Sequence, residues 1–532
     1  MLRLALISCS IEEGPLAYPL GALCILSAIR HDTRTAGMYD ISLVRFLADT
    51  DDPKAAAKQI AGYSYDIVGL SVYLYNREWM DTFASELRLF QKDVPVFAGG
   101  PEAVNGQSLL DSLGADFIIV GEGEETVVQT LERLPEHIGS SHILFGEAPD
   151  TKRLFSPLLE HDVECTDYQG ILWEMTRGCP YRCAFCFEGR GNKSVRPFPL
   201  SRLQKELDLL VQHEVKEIFV LDPTFNMDKE RTTAILDMLI EQSMPDTHFT
   251  FEIRAELLDE SSVKRFSSLY CSLQIGLQSC DVQVCKKVGR NLDPTLFKHN
   301  IELLNRYGVV FGLDLIIGLP DDTLEGFHRS IDFAISLKPS NIDIFLLSLL
   351  PGTPLASQGD HYGLRWEKTS PYSVLSTPTM DEHDIAQALQ MKEACDLLYT
   401  KGEAAMWFNC ACSGLDRKPS EVLKAFTEWN HDETLSVFDL QDAFISYLYT
   451  VRKLEAYLPA LRSFMELHQG IAYMQNTGDP CIVELHYDPD TLALLDTWPL
   501  ARFCDRHKSF DSPAYYQLYQ AEDGMRFEQL DS

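Results

Sequence analysis

The sequence predicts an α/β protein in three parts. These are a doubly wound parallel sheet over residues 1–145, a partial (β/α)6 barrel over 165–395 and a mainly helical region over 396–532, with 146–164 as a linker. Three observations predict this. Short apolar runs alternate with amphipathic helical stretches in the first part, the pattern of parallel strands joined by crossover helices. The alternation resumes after a cysteine-rich loop and runs through six βα units. It stops near residue 396, where helical patterns, aromatic residues and acidic residues take over. A length of 532 residues suits about three domains, and an apolar content of 45% suits ordinary globular cores.

In the first part, residues 4–7, 41–46, 67–72, 94–98 and 117–120 read as strands, and 21–30 and 79–91 as amphipathic helices. The opening residues 1–8 imitate a short signal peptide. The apolar stretch is brief, Glu12 and Glu13 follow, and no small-residue cleavage site is evident, so a buried first strand is expected instead. No stretch reaches the ~18 apolar residues of a membrane span, and no repeat or low-complexity segment is seen.

Ligands of doubly wound sheets lie beyond the carboxyl ends of the strands. The loops there are Ser71-Val72-Tyr73, Gly99-Gly100-Pro101-Glu102 and Gly121-Glu122-Gly123-Glu124, with Tyr18-Pro19-Leu20-Gly21 opening the first helix. Glycines allow a bulky ligand close to the backbone, although each loop alone is also an ordinary tight turn. Together the four segments resemble a Rossmann-like cobalamin (B12)-binding domain. The resemblance implies that Leu20, Gly21, Ser71, Tyr73, Gly99, Gly100, Pro101, Gly121 and Glu122 contact cobalamin. Many cobalamin proteins ligate cobalt from below through an Asp-x-His-x-x-Gly loop. The early histidine here, His31, reads as a solvated helix end. Asp246-Thr247-His248 lies in the second part and has Phe251 where the glycine belongs. The implied cobalamin therefore has no lower histidine ligand.

The second part begins with a strand at 171–176 and the loop Cys179-Pro180-Tyr181-Arg182-Cys183-Ala184-Phe185-Cys186. Three thiolates spaced C-x3-C-x2-C can hold one iron–sulfur cluster and leave one iron open. A zinc site would need a further ligand at short spacing. None follows Cys186, and His161 and His213 are out of register. A simple electron carrier would need a fourth cysteine, for which Cys165 is the candidate. Core thiols remain the third alternative, poorly suited to the neighbours Gly178, Pro180 and Arg182. The spacing, with Phe185 just before the last cysteine, resembles the signature of radical S-adenosylmethionine (SAM) enzymes. It implies that Cys179, Cys183 and Cys186 ligate a [4Fe–4S] cluster. SAM would chelate the open iron and be cleaved reductively to a 5′-deoxyadenosyl radical.

Further strands read at 217–221, 248–253, 273–277, 309–317 and 342–349, with helices at 201–213, 229–242, 260–269, 294–307 and 324–337. Barrel active sites lie at the strands' carboxyl ends. Asp222-Pro223-Thr224-Phe225, Glu252-Ile253-Arg254, Gln278-Ser279, Gly318-Leu319-Pro320 and Pro351-Gly352-Thr353-Pro354 sit at those ends in order. The resemblance implies that Phe185, Asp222, Glu252, Arg254, Gln278, Ser279, Gly318 and Pro320 surround SAM. In that role Arg254 would fork onto the SAM carboxylate, Asp222 and its neighbours would hold its amino group or line the pocket, and Gln278 would bond a ribose hydroxyl where a glutamate often stands. Arg254 as a salt bridge, Asp222 as a helix cap and the glycine loops as turns remain open alternatives.

In the third part, the segment Pro371-Tyr372-Ser373-Val374-Leu375 just before it resembles the link to a C-terminal domain of unknown function in one group of cobalamin radical SAM proteins. The region is expected to cap the barrel. Cys410, Cys412, Cys481 and Cys504 are spaced too loosely for a typical auxiliary cluster and read better as core thiols.

Lysine and arginine number 46 against 79 aspartate and glutamate, a formal charge of −33. That disfavours a nucleic-acid partner, which calls for a basic stripe. Fourteen scattered cysteines in so long a chain suit a reduced, cytoplasmic setting. The family resemblance implies an enzyme that methylates an unactivated carbon of a small molecule or peptide through the 5′-deoxyadenosyl radical and methylcobalamin, reduced by a flavodoxin or ferredoxin. Rearrangement, ring contraction or cyclisation without methyl transfer uses the same cofactors and stays open. A non-catalytic cobalamin or SAM sensor is the alternative of another class.

Overall fold

Residues 4–7 are apolar without a break, and they lie in the strand β1 (Leu2–Ser10), buried on both faces from Leu4 to Cys9. Such a run suits a parallel strand covered by helices above and below. The computed structural model describes residues 1–134, 142–159, 168, 170–188, 194–429, 434–521 and 524–530. β1 lies between β2 (Tyr39–Leu47) and β3 (Ile67–Ser71). The sheet continues through β4 (Val96–Gly99), β5 (Phe117–Val120) and β6 (His142–Phe145), in the order β2-β1-β3-β4-β5-β6 with every pairing parallel. Helices α1 (Leu20–His31), α2 (Pro53–Gly62), α3 (Arg77–Phe90), α4 (Gln107–Leu113) and α5 (Glu124–Glu132) connect the strands. Two cores result. One packs Ile7, Leu70, Trp79, Phe83 and Leu109, and the other packs Leu4, Leu26, Ile29, Phe117 and Val127. The five expected strands are present. β6 is the addition, a half-buried strand at the sheet edge.

The second sheet holds β7 (Ile171–Trp173), β8 (Glu217–Val220), β9 (His248–Ile253), β10 (Cys271–Gln278), β11 (Val310–Ile317) and β12 (Asn341–Leu346), in the order β12-β11-β10-β9-β8-β7. β7 with β8, β8 with β9, and β11 with β12 pair in parallel. Local signals set the helices that follow. Asp228 caps the helix Lys229–Gln242, and Thr323 caps Leu324–Ser336. Asp293 and Pro294 open the helix Pro294–Tyr307, and Gly308 in the left-handed region closes it.

The chain forms two compact units. The first comprises Met1–Leu273, Val288–Arg290 and Ser348–Val374. The second comprises Gln274–Lys287, Asn291–Leu347 and Leu375–Ser532. The division falls inside β10.

Within the second unit the C-terminal region holds the helices Phe408–Gly414, Pro419–Thr427, Val437–Val451 and Leu458–Thr477. It also holds a three-stranded antiparallel sheet that the sequence pattern did not reveal: β13 (Cys481–Leu485), β14 (Ala514–Ala521) and β15 (Gly524–Gln529). The region packs on the helix Leu324–Ser336 and the turn after it. Asn409 Nδ2 donates to Ile335 O at 2.7 Å, the Ser420 amide to Asp332 Oδ1 at 2.8 Å, and Tyr399 OH to Pro339 O at 2.9 Å. Cys410 and Cys412 are buried, and burial pushes the Cys410 thiol up to about 12. No described helix is long and apolar enough to cross a membrane.

Candidate functional site

The cluster loop starts from a fixed point. The Asp222 carboxylate, just beyond β8, is buried and accepts the backbone N–H groups of Met175 and Thr176, each at 2.9 Å. Burial outweighs these bonds and pushes the carboxyl up to about 6. Arg231 Nη2 donates to Met175 O at 3.0 Å and to Phe198 O at 2.9 Å, bracing both sides of the loop. Asp222 therefore grips the chain that leads into the cysteines; in this arrangement it caps no helix.

Further along, the Ala184 amide donates to Val288 O at 2.8 Å, the Leu355 amide to Ala184 O at 2.9 Å, and the Cys186 amide to Cys183 O at 3.1 Å. Gly289 is in the left-handed region (φ +73°), and a Cβ there would stand 2.7 Å from Arg182 O. The loop thus rests on a stretch of backbone that only a glycine permits. Cys179 Sγ lies 3.8 Å from Thr224 Oγ1. Cys179, Cys183 and Cys186 are each half-buried and free of disulfides. Three reduced, reachable sulfurs on one braced loop are the donor set a three-cysteine cluster needs. Cys271 and Cys395, by comparison, are buried core thiols. Among the described residues no group of three or more His, Cys, Asp or Glu side chains is drawn into metal-holding positions, the three loop cysteines and Cys410, Cys412, Cys481 and Cys504 included. Cys165 lies outside the described residues.

Arg254 follows β9 and is buried. Its Nε donates to Glu256 Oε1 at 2.7 Å, and its guanidinium lies 3.7 Å from the centre of the Tyr181 ring. Its backbone exchanges two hydrogen bonds with the Asn226 side chain, at 2.9 and 3.0 Å. Arg254 is therefore held against the cluster loop by Tyr181, a loop residue to which the sequence assigned no role. Glu252 and Phe185 are half-buried.

The other expected SAM neighbours lie in the second unit. Gln278 is buried at the end of β10 with φ +70°, a strained conformation for a residue with a side chain. Ser279 is fully buried. Its hydroxyl accepts from the Asp281 amide at 3.1 Å and lies 3.4 Å from Ser330 Oγ. Gly318 and Pro320 form the turn after β11, where the Asp322 amide donates to Leu319 O at 3.1 Å.

In the first sheet, Gly100 (φ +109°) lets its backbone lie against Val72, since a Cβ would stand 2.5 Å from Val72 O. Gly99 differs. Its added Cβ would make only an ordinary van der Waals contact, with Ile119 O at 3.7 Å. Gly21 lies under Tyr73, whose hydroxyl would be 2.8 Å from a Cβ there. Asn76, which sequence reasoning passed over, ties the strand ends together. Its amide donates to Cys9 O at 2.9 Å and Ser71 O at 3.1 Å and accepts from the Tyr73 amide at 2.8 Å. After Pro101, buried Glu102 binds Arg77 at 2.9 Å and Tyr372 OH at 2.9 Å. Leu20 opens α1. Glu122, after Gly121, faces Arg177 and Arg196. His31 ends α1, exposed and stacked on Phe155 at 4.7 Å. His248 sits in the second sheet against Tyr270.

Residues 14–131 match the B12 binding domain, and residues 173–334 match the radical SAM superfamily. The chain belongs to the radical SAM proteins that carry a B12-binding domain. This B12-binding radical SAM chain is 26% identical over 391 residues to the cobalamin-dependent radical SAM methyltransferase TokK of Streptomyces tokunonensis, covering 65% of this chain and 56% of that protein. It is 25% identical over 389 residues to the 2-(S-pantetheinyl)-carbapenam-3-carboxylate methyltransferase of Streptantibioticus cattleyicolor, again over 65% of this chain and 56% of that protein. The chain thus spans little more than half the length of these curated relatives. In fold it is similar to the radical SAM methyltransferase TsrM of Kitasatospora setae, with a TM-score of 0.60 and 14% identity over 85% of this chain and 99% of that one. It is also similar to the cobalamin-dependent radical enzyme OxsB, with a TM-score of 0.58 and 14% identity over 95% and 84%.

Proposed function

We propose that this protein is a cobalamin-dependent radical SAM methyltransferase that methylates an unactivated carbon of a small molecule or peptide. The observation that carries the reading is the braced loop of three half-buried thiols, Cys179, Cys183 and Cys186, in one chain with a B12-type sheet whose strand ends carry glycines. When bound, the cluster and cobalamin supply the electron that cleaves SAM and the methyl group that is transferred.

The chain's own residues do the rest. Asp222, Arg231 and the Val288–Arg290 backbone hold the cysteines in place. Arg254, set over Tyr181, offers the buried cation suited to a carboxylate, with Glu256 holding its orientation. Gly99 and the neighbouring strand-end loops would hold cobalamin, and residues 1–145 contain no Asp-x-His-x-x-Gly loop. Residues 1–145 would serve cobalamin, 165–395 the radical step, and 396–532 the support of the barrel, in a cytoplasmic protein reduced by a flavodoxin or ferredoxin.

The test is anaerobic reconstitution of the full chain with iron, sulfide and hydroxocobalamin, then turnover with SAM and dithionite, read by mass spectrometry. Bound corrinoid with both 5′-deoxyadenosine and S-adenosylhomocysteine is the expected result. Bound corrinoid with 5′-deoxyadenosine alone would overturn methyl transfer. A protein that binds no corrinoid would overturn the assignment of the first domain.

A further inference from the structure

Arg177 stands two residues before Cys179, and its three nitrogens serve three carboxylates. Nε donates to Glu174 at 2.9 Å, Nη1 to Glu122 at 2.9 Å, and Nη2 lies 2.7 Å from Glu124. The Arg177 side chain is 12% exposed and that of Glu124 7%, so the fork is shielded from water. Glu122 and Glu124 belong to the loop after β5, one of the loops read above as a cobalamin contact. Glu122 is held a second time by Arg196, which also donates to Pro149 O at 2.9 Å.

Thr176–Arg177 and Arg196–Pro197 are the two strands of a small antiparallel pair. One enters the segment that carries the cluster cysteines and the other leaves it, and each sends an arginine to the same glutamate. Exposed ion pairs hold geometry weakly. A shielded guanidinium whose every edge is filled holds it firmly, and removing one member leaves charges unpaired.

We propose that Arg177 and Glu122 couple the cluster loop to the cobalamin loop, so that filling either site tightens the other. Arg177 is a positioning residue in this scheme. The inference rests on the cofactor assignments above. Coupling between two sites is reciprocal in binding free energy, so it has a signature that a merely structural ion pair lacks.

The experiment uses the full chain, prepared anaerobically with and without its cluster. Hydroxocobalamin affinity is measured for both forms, and iron release to a ferrous chelator is followed with and without hydroxocobalamin. In the wild type the cluster is expected to tighten corrinoid binding about 5-fold or more, the lower end of usual coupling, and corrinoid to slow iron release. Arg177→Lys keeps the charge but cannot serve three carboxylates in one plane, and it is expected to bind iron and corrinoid with the mutual effect lost. If Arg177→Lys fails to accumulate as folded protein, Arg196→Lys provides the same reading from the other strand. Wild-type protein that binds both cofactors without mutual effect overturns the proposal, as do variants that keep it in full. Wild-type protein that binds no corrinoid overturns the cofactor assignment itself, so the two failures are distinct.

Discussion

Asp222 joins a buried charge to a loop that has to hold its place. Two backbone donors reach its carboxylate, yet desolvation wins and moves it from 3.8 to about 6. A carboxyl that holds its proton more firmly when folded contributes stability in acid, and that contribution is lost as pH rises from about 4 through about 6. The gap between the two values is worth about 3 kcal/mol. Asp222→Asn keeps an oxygen for both amides and carries no charge. Denaturant titrations at about pH 4.5 and about pH 7.5 should therefore show the variant gaining on the wild type by about 2 kcal/mol across that span. A constant difference between the two proteins would refute the account. Asp322, pushed up the same way, is common to both proteins and cancels. For the cysteines the expectation is simpler. Alanine at Cys179, Cys183 or Cys186 removes one of only three sulfurs, so reconstituted iron should fall sharply and 5′-deoxyadenosine formation should drop by about 100-fold or more, since the loss removes the electron source for the cleavage. The same substitution at buried Cys395 should leave both unchanged.

At the scale of elements, neighbouring glycines do different work, and substitution can separate them. Gly100→Ala forces a side chain onto Val72 O from a left-handed backbone and should cost about 2–3 kcal/mol. Gly99→Ala meets only Ile119 O at 3.7 Å. It should leave the melting temperature unchanged while weakening hydroxocobalamin binding, read by thermal melts and by corrin absorbance titration. Equal losses of stability at both positions would mean that Gly99 serves packing and not a ligand. Much of this level was legible in the sequence. Residues 117–120 form a strand to the residue, and caps such as Asp293 with Pro294 mark their helices. The edge strand β6 escaped because three half-buried residues and an exposed Phe145 carry little alternation. The β13–β15 sheet escaped because its aromatic and polar residues, as in Ala514–Ala521, blend with the helical segments around them. The cysteines were legible because a cluster loop is local in sequence. Arg177 with Glu122 spans 55 residues, and Tyr372 with Glu102 spans 270. No spacing rule connects such pairs, and Gly289 behind Arg182 was invisible for the same reason.

For the whole molecule the controlling quantity is the charge of −33. A field of that size repels polyanions, so the chain should show no salt-sensitive retention of tRNA, where a phosphate-binding protein would show a steep salt slope. The same field bears on how electrons arrive. If the physiological donor is an acidic flavodoxin or ferredoxin, both partners carry negative charge and their encounter is opposed at long range. Screening shortens that range from about 30 Å at 0.01 M salt to about 8 Å at 0.15 M. Stopped-flow reduction of the cluster by reduced flavodoxin should therefore quicken as salt rises across that interval, the reverse of electrostatically steered pairs. Within the first unit Arg177, Arg196 and Arg254 are already paired with glutamates and offer little free positive charge to an acidic donor, whereas Arg182, inside the cysteine loop, is exposed. A rate that falls with salt would instead require a basic docking face strong enough to overcome the net charge, and would redirect the search for the donor's contact toward exposed lysines away from the cluster loop.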